Sequence, residues 1–457
     1  MMDTAMAAGA VGGSIIGDCV PFVRVTTDTR ALAPGDLFVA LRGERFDGHD
    51  FVAQAQAAGA AAAIVLRSRA ASLPGNLIAV DDPLRSLADL ARYWRSRFDI
   101  PVAGVAGSNG KTTTKEMIAA IFRAAVGSEA VAATPGNFNN AIGLPLALLA
   151  LRPVHRLAVF EVGMNHRGET RELADVLKPT VAVVTNAQRE HQEFMRSVDE
   201  VAAEHADLVA ALTDGGTAIV NADDARADVW RGVARARDRA TLEFGIDARA
   251  DVSAGVAAHA EGSMLELATP LGSARVLLHV PGRHMARNAL AAAATAIAAG
   301  VSLTAIVQGL EAFRPVRGRL AVFTTAGGVH VIDDTYNANP DSVRAAIDVL
   351  AQRPAPRLLV LGDMGEVGDE GPAFHHEIGQ YARAAGVERL FAAGALAREA
   401  AAAFGERAAH FDDVDALASH VRDAVPRGAN VLVKGSRFMR MERVVAALSA
   451  GTTGAAH

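Results

Sequence analysis

Cysteine is almost absent from this chain of 457 residues: Cys19 stands alone. No intrachain disulfide is possible, and a cysteine-rich metal site is excluded. The single thiol fits a reducing compartment. An excess of positive charge is missing too. Forty-five Lys and Arg face 51 Asp and Glu, a formal net charge of -6, which leaves no broad basic footprint for nucleic acid. Long apolar runs are also lacking. No segment offers the ~20 predominantly apolar residues that cross a bilayer. The alanine-rich NALAAAATAIAAG at 288–300 is short and weakly apolar, and reads as a buried helix. The opening MMDTAMAAGAVGGSIIGD carries Asp3 and no basic residue before its small apolar stretch, whereas a secretory signal has a positive start. A soluble cytoplasmic protein is expected, with no membrane insertion and no nucleic-acid partner.

What is present is an ordinary globular composition, 51% hydrophobic and 21% charged, on a chain long enough for roughly two to four domains. Residues 1–98 read as a mixed region. VTTDTRALAPGDLFVAL (25–41) has short β-like runs around a Pro-Gly turn, and DFVAQAQAAGAAAAIVL (50–66) reads as helix, glycine stop and strand. DPLRSLADLARYWRSRF (82–98) is a helix with a basic end, suited to bridge two domains. Across 99–313, apolar strands (IPVAGVAG, RLAVFEVG, TVAVVTN, GTAIVN) alternate with helices, the pattern of a parallel sheet covered on both faces. Residues 242–281 look β-rich, and RPVRGR (314–319) reads as a basic hinge. From 314 to 457 strands and helices alternate again, as in a second α/β unit.

The chemistry centres on GSNGKTTT at 107–114, which follows a strand and opens a helix. The longer phosphate-loop pattern asks for one more glycine, where this chain has Val105. The shorter form survives. Gly107, Ser108, Asn109, Gly110, Lys111, Thr112 and Thr113 would cradle nucleotide phosphates through backbone N–H groups and the helix N-terminus. Lys111 would neutralise the β- and γ-phosphates and Thr112 would offer its hydroxyl to magnesium. A bare glycine turn would leave the Lys-Thr pair with no packing rationale. A magnesium ion needs further oxygen ligands, and strand ends beside the phosphate loop supply them in doubly wound sheets. Glu161 ends RLAVFEVG. His191 follows TVAVVTN in a loop, where a lone histidine is usually a surface residue.

GSNGKTTTKEM, TPGNFNNAIGLPLALL (134–149), FEVGMNHRGE (160–169) and VTNAQREH (184–191), taken together, resemble the central domain of the Mur ligase family. The resemblance covers nearly the whole chain in three blocks. It implies an α/β protein of three domains. These are a small mixed N-terminal uridine-nucleotide domain (1–98), a central phosphate-loop domain with a doubly wound, mostly parallel sheet (99–313), and a C-terminal Rossmann-like domain for the incoming dipeptide (314–457). It implies ATP and Mg2+, with Thr112, Glu161 and His191 serving the metal and Lys111, His191 and Arg319 catalysis. Asn288 would meet adenine, Arg319 the γ-phosphate and Asp334 the ribose. Read alone, these three are a helix cap, a hinge charge and a turn before a helix.

Within the family, VIDDTYNANPDS (331–342), LGDMGEVGDE and VLVKGSRFMRME are similar to the branch that adds D-alanyl-D-alanine to UDP-N-acetylmuramoyl-tripeptide. The implied reaction activates the peptide carboxylate as an acyl phosphate, then passes through a tetrahedral intermediate to the amide. Alternatives are the sister ligase adding the third residue, a folylpolyglutamate-type ligase and, outside the family, a phosphate-loop ATPase switch. Asn139, Tyr336 and Asn337 are candidates for substrate contact, as are Thr29, Arg30, Gly43 and Asp47, each of which equally suits a turn. A monomer is expected. One feature departs from the family pattern: many members carry a carbamylated lysine on the helix after the histidine, and VDEVAAEHADLVAAL (198–212) has none. Its place aligns with His205, beside Glu204. Either the second metal is held differently, or one of these two substitutes, or both simply face solvent.

Overall fold

A computed structural model describes residues 1–450; the last seven residues of the third expected domain, 451–457, lie outside the described residues. Three sheets carry the fold. The first has five strands in the order 14–16, 77–80, 62–66, 36–39, 24–26, parallel except for the first. The second has nine, in the order 272–278, 262–269, 252–259, 240–245, 217–221, 181–184, 102–106, 157–161, 131–133. Its strands run parallel from 131–133 as far as 252–259, and the β-rich stretch closes it as an antiparallel meander. The third has six strands, 321–324, 330–334, 430–434, 357–362, 389–393 and 408–411, again parallel except for the first.

The middle sheet explains where a site can form. Strand Val102–Ala106 sends the chain first to one side of itself, to 131–133 and 157–161, and later to the other, to 181–184. A crevice opens outside the carboxyl ends of strands at such a reversal. GSNGKTTT lies at that end, and helix Lys111–Val126 begins within it, directly after Gly110. This helix is buried along one side by Met117, Ile118, Ile121 and Phe122. Helices Arg283–Ala298 and Leu303–Ala312 cover it. The alanine-rich run is indeed buried: Ala291 to Ala294 have no exposed surface.

The helix Pro83–Arg95 bridges the first two sheets. Asp82 caps it, accepting from the N–H groups of Leu84 and Arg85, and Pro83 suits its first turn. At its other end the buried Arg95 guanidinium donates to the carbonyls of Leu177 and Lys178, both at 3.1 Å. A cation on the carbonyl end of helix Glu169–Leu177 is favoured by the helix dipole. The opening segment also folds into a helix, Thr4–Val11, with Asp3 as its cap and left-handed Gly12 as its stop. Among the described residues no helix is long and apolar enough to cross a membrane.

Close packing of the middle unit depends on Gly309, where an added Cβ would lie 2.3 Å from Ile121 Cα and 2.5 Å from its nitrogen. Backbone cannot yield as a side chain does, so Gly309→Ala should destabilise by about 2 kcal/mol. Gly232, exposed on helix Ala227–Ala236 with nothing within 4 Å of its would-be Cβ, should gain about 0.5–1 kcal/mol on change to Ala. Thermal melts check both: the two substitutions should move Tm in opposite directions.

Candidate active site

A cavity of about 1430 Å³ runs from helix Pro83–Arg95 past the phosphate loop to the third sheet, so all three units line it. Its floor is the glycine turn. Gly107 (φ 129°) and Gly110 (φ 85°) occupy left-handed backbone, and a Cβ at either would strike Thr185 Oγ1 at 2.0 Å or Asn288 Oδ1 at 2.4 Å. Glycine is required at both. The segment after strand Val181–Val184 straps the turn: Asn186 accepts from the N–H groups of Ser108 (3.0 Å) and Asn109 (2.9 Å). Ser108 Oγ accepts from Gln188 N at 2.8 Å. The backbone donors of 108 and 109 are therefore engaged. The first turn of the helix, from Lys111 through Thr113, presents its free N–H groups to an anion.

Thr112 Oγ1 donates to Glu161 Oε2 at 2.8 Å, and Asn139 Nδ2 donates to Glu161 Oε1 at 2.8 Å. Asn139, a substrate candidate by sequence, thus orients the carboxylate. Hydroxyl and carboxylate oxygens side by side at the mouth of the phosphate loop form a donor set that suits magnesium. Among the described residues no three His, Cys, Asp or Glu side chains converge on one point; the expected set differs in having a hydroxyl. His191 has left-handed backbone (φ 49°), an uncommon state for a residue with a Cβ. Its Nδ1 stands 2.6 Å from Glu366 Oε2, an ion-pair distance without hydrogen-bond alignment. His191 holds the Glu366 carboxyl below its usual range.

The third unit closes the cavity from above. Arg319 stacks on the ring of Tyr336, 4.0 Å from its centroid. Asp334 ends its strand and accepts from Leu320 N at 3.1 Å and from Lys434 Nζ. Lys434 also donates to the Asn337 carbonyl at 2.9 Å. Asn288 packs over Gly110. It stands in the second turn of its helix, not at the start as expected, because Gly282 (φ 107°) caps the chain and the helix begins at Arg283.

Of the alternatives for Glu204 and His205, the one in which both face solvent is overturned. Glu204 is 7% exposed and His205 1%. Glu204 accepts from Gly168 N (2.9 Å) and Thr170 N (2.8 Å), so it caps helix Glu169–Leu177. His205 points inward to Glu190, at 3.0 Å. Among the uridine-site candidates, Arg30 pairs with Asp28 at 2.8 Å. Asp47 caps a short 3-10 turn and contacts buried His49 at 2.6 Å. Gly43 donates to Phe46 O at 2.9 Å, and Thr29 is half-buried. None of the four lines the cavity.

Several contacts of the site escaped sequence reading. Arg189 forks onto Asp341 and Glu377, with closest distances of 2.7 Å to each. Asn109 and Asn339 exchange amide hydrogen bonds at 3.0 and 3.3 Å. Both contacts join the middle unit to the third. The only local signals were three charged residues in NAQREHQEF and the cap position of Asn339 before Pro340.

Fold and site define an enzyme that acts on nucleotide phosphates in a cleft between α/β units. Residues 105–296 match the Mur ligase middle domain, 318–437 the Mur ligase, glutamate ligase domain, and 22–95 the Mur ligase family, catalytic domain. The chain is 40% identical over 445 residues to the UDP-N-acetylmuramoyl-tripeptide--D-alanyl-D-alanine ligase of Escherichia coli K12, covering 97% of each. It is similar to the crystal structure of MurF from Acinetobacter baumannii, with a TM-score of 0.89, 34% identity and 98% of each chain covered. MurF ligase from Thermotoga maritima, solved in complex with ADP, has a TM-score of 0.83 at 27% identity, covering 94% of this chain and 97% of that one. The chain belongs to the Mur ligase family.

Loss of the Arg189 fork leaves Asp341 and Glu377, both on the third unit, without their partner from the middle unit, so Arg189→Ala should weaken the contact between units by about 2 kcal/mol. Small-angle scattering should record a larger radius of gyration for the variant, and an unchanged value would count against this contact as the clasp.

Proposed function

We propose that the chain joins D-alanyl-D-alanine to the peptide carboxylate of UDP-N-acetylmuramoyl-tripeptide, using ATP, as a cytoplasmic step in cell-wall synthesis. The observation that carries this reading is the placement of Lys111 from the middle unit and Arg319 from the third on the walls of one cavity, with the phosphate loop at its floor. The choice among ligases rests on full-length relatives that bear this activity in their names. We assign 1–98 to the uridine nucleotide, 99–313 to ATP and 314–457 to the dipeptide.

A carboxylate oxygen attacks the γ-phosphorus and ADP leaves, forming an acyl phosphate. The dipeptide amine then attacks the acyl carbon, and phosphate departs from the tetrahedral intermediate. The first step brings an anion to a polyanion. Lys111, the helix N-terminus and Arg319 cancel that repulsion, and Tyr336 keeps the Arg319 plane fixed. Thr112, Glu161 and His191 would hold magnesium, which supplies charge neutralisation on the phosphate oxygens when bound. Asp334, with one oxygen on the Leu320 N–H and the other on Lys434, takes the ribose, and Asn288, packed on Gly110, borders the adenine.

Mass analysis after mixing protein, ATP, magnesium, the tripeptide nucleotide and D-alanyl-D-alanine tests the reading. A product heavier by one dipeptide less water is expected, with one ADP and one phosphate per turnover. Steady ATP hydrolysis without that product would point to a switch instead. Lys111→Ala and Arg319→Ala should each lower kcat on the order of 10²–10³-fold.

A further inference from the structure

Glu190 takes no part in the reaction as described, yet it is buried, 6% exposed, and lines the cavity. Its two oxygens have different partners. Oε1 lies 3.0 Å from His205 Nε2 and Oε2 lies 3.3 Å from Lys111 Nζ. With the Lys111 ammonium set against it, Glu190 is held as a carboxylate. An ionised carboxylate only accepts, so His205 donates through Nε2–H. Among the described residues the ring has no other polar partner, since its Nδ1 is buried and unbonded. His205 thus serves Glu190 alone.

The ammonium of Lys111 is fully engaged. It has three N–H groups, and they meet three acceptors: Gly107 O, Ser108 O and Glu190 Oε2. Two of these are carbonyls of the phosphate loop itself and travel with it. The third is the one anion. For Lys111 to grip a phosphate, one N–H must be released, and the carboxylate is the partner that a phosphate replaces like for like.

We propose that Glu190 is a positioning residue: a built-in counter-ion that holds Lys111 in place and competes with nucleotide phosphate for it, with His205 setting the strength of that competition. The proposal rests on the nucleotide reading of the phosphate loop. With its hydrogen bond to His205, part of the Glu190 charge is balanced from behind and Lys111 is held loosely. Without that bond, the whole charge falls on Lys111.

Two substitutions should therefore act in opposite directions. Equilibrium binding of ADP, measured by calorimetry in EDTA so that no divalent cation contributes, reads the effect directly. Glu190→Gln should bind ADP about tenfold more tightly than the parent, while Glu190→Asp, which keeps the charge, should stay near it. His205→Leu should bind ADP more weakly, about threefold, and this loss should vanish in the Glu190→Gln background. Disruption of a merely structural contact does not tighten binding. Glu190→Gln binding equal to or weaker than the parent would overturn the proposal. So would a His205→Leu effect that persists undiminished in the double variant. Failure of the parent protein to bind ADP at all would overturn the nucleotide reading, and this inference with it.

Discussion

An anion does not approach a polyanion in a cleft unless fixed positive charge stands between them, and in the proposed reaction this chain draws that charge from two separate units. Lys111 and the first turn of its helix belong to the middle sheet; Arg319 belongs to the segment that enters the third. Neither unit alone lines the whole cavity. The site is a property of their juxtaposition, and the structure devotes specific contacts to it. The reciprocal amide pair of Asn109 and Asn339 ties the phosphate loop itself to the cap of a third-unit helix. Arg189, two residues before His191, clamps the next loop to Asp341 and Glu377.

This arrangement accounts for the crowding of strain and charge in one place. His191 and Glu366 have left-handed backbone, and their side chains meet across the boundary between units. Such strain persists only where neighbours over-determine it. Buried charges are tolerated because each has a partner: Glu190 has Lys111 and His205, and Asp334 has Lys434. Removal of one member leaves the other desolvated and unpaired, which is why these pairs behave as units.

The parts of the site written in local sequence were legible. Glycines 107 and 110 sit where backbone geometry forbids a Cβ, and Lys111 and Thr112 follow at fixed offsets. Glu161 and Asp334 ended apolar runs and do end their strands. The parts made by distant pairs were not legible. Arg189 meets a residue 152 positions away and Asn109 one 230 away, so composition and periodicity carry no trace of either. Charged loop residues such as Glu190 look like solvated surface until the fold encloses them. The missing lysine on helix Val198–Ala210 was visible, but the inward turn of His205 toward Glu190 was not. Near the N-terminus the polar turn residues drew attention, and they serve turns and caps away from the cavity.

The central claim is that the phosphates serve to activate a carboxylate. The most direct test is isotopic: the tripeptide nucleotide is labelled with ¹⁸O in its terminal carboxylate, and the phosphate released during ligation is weighed. An acyl phosphate that breaks at its acyl carbon leaves one carboxylate oxygen on the departing phosphate, so the account predicts one ¹⁸O in each phosphate formed from doubly labelled carboxylate. Phosphate free of label, formed alongside product, would contradict it.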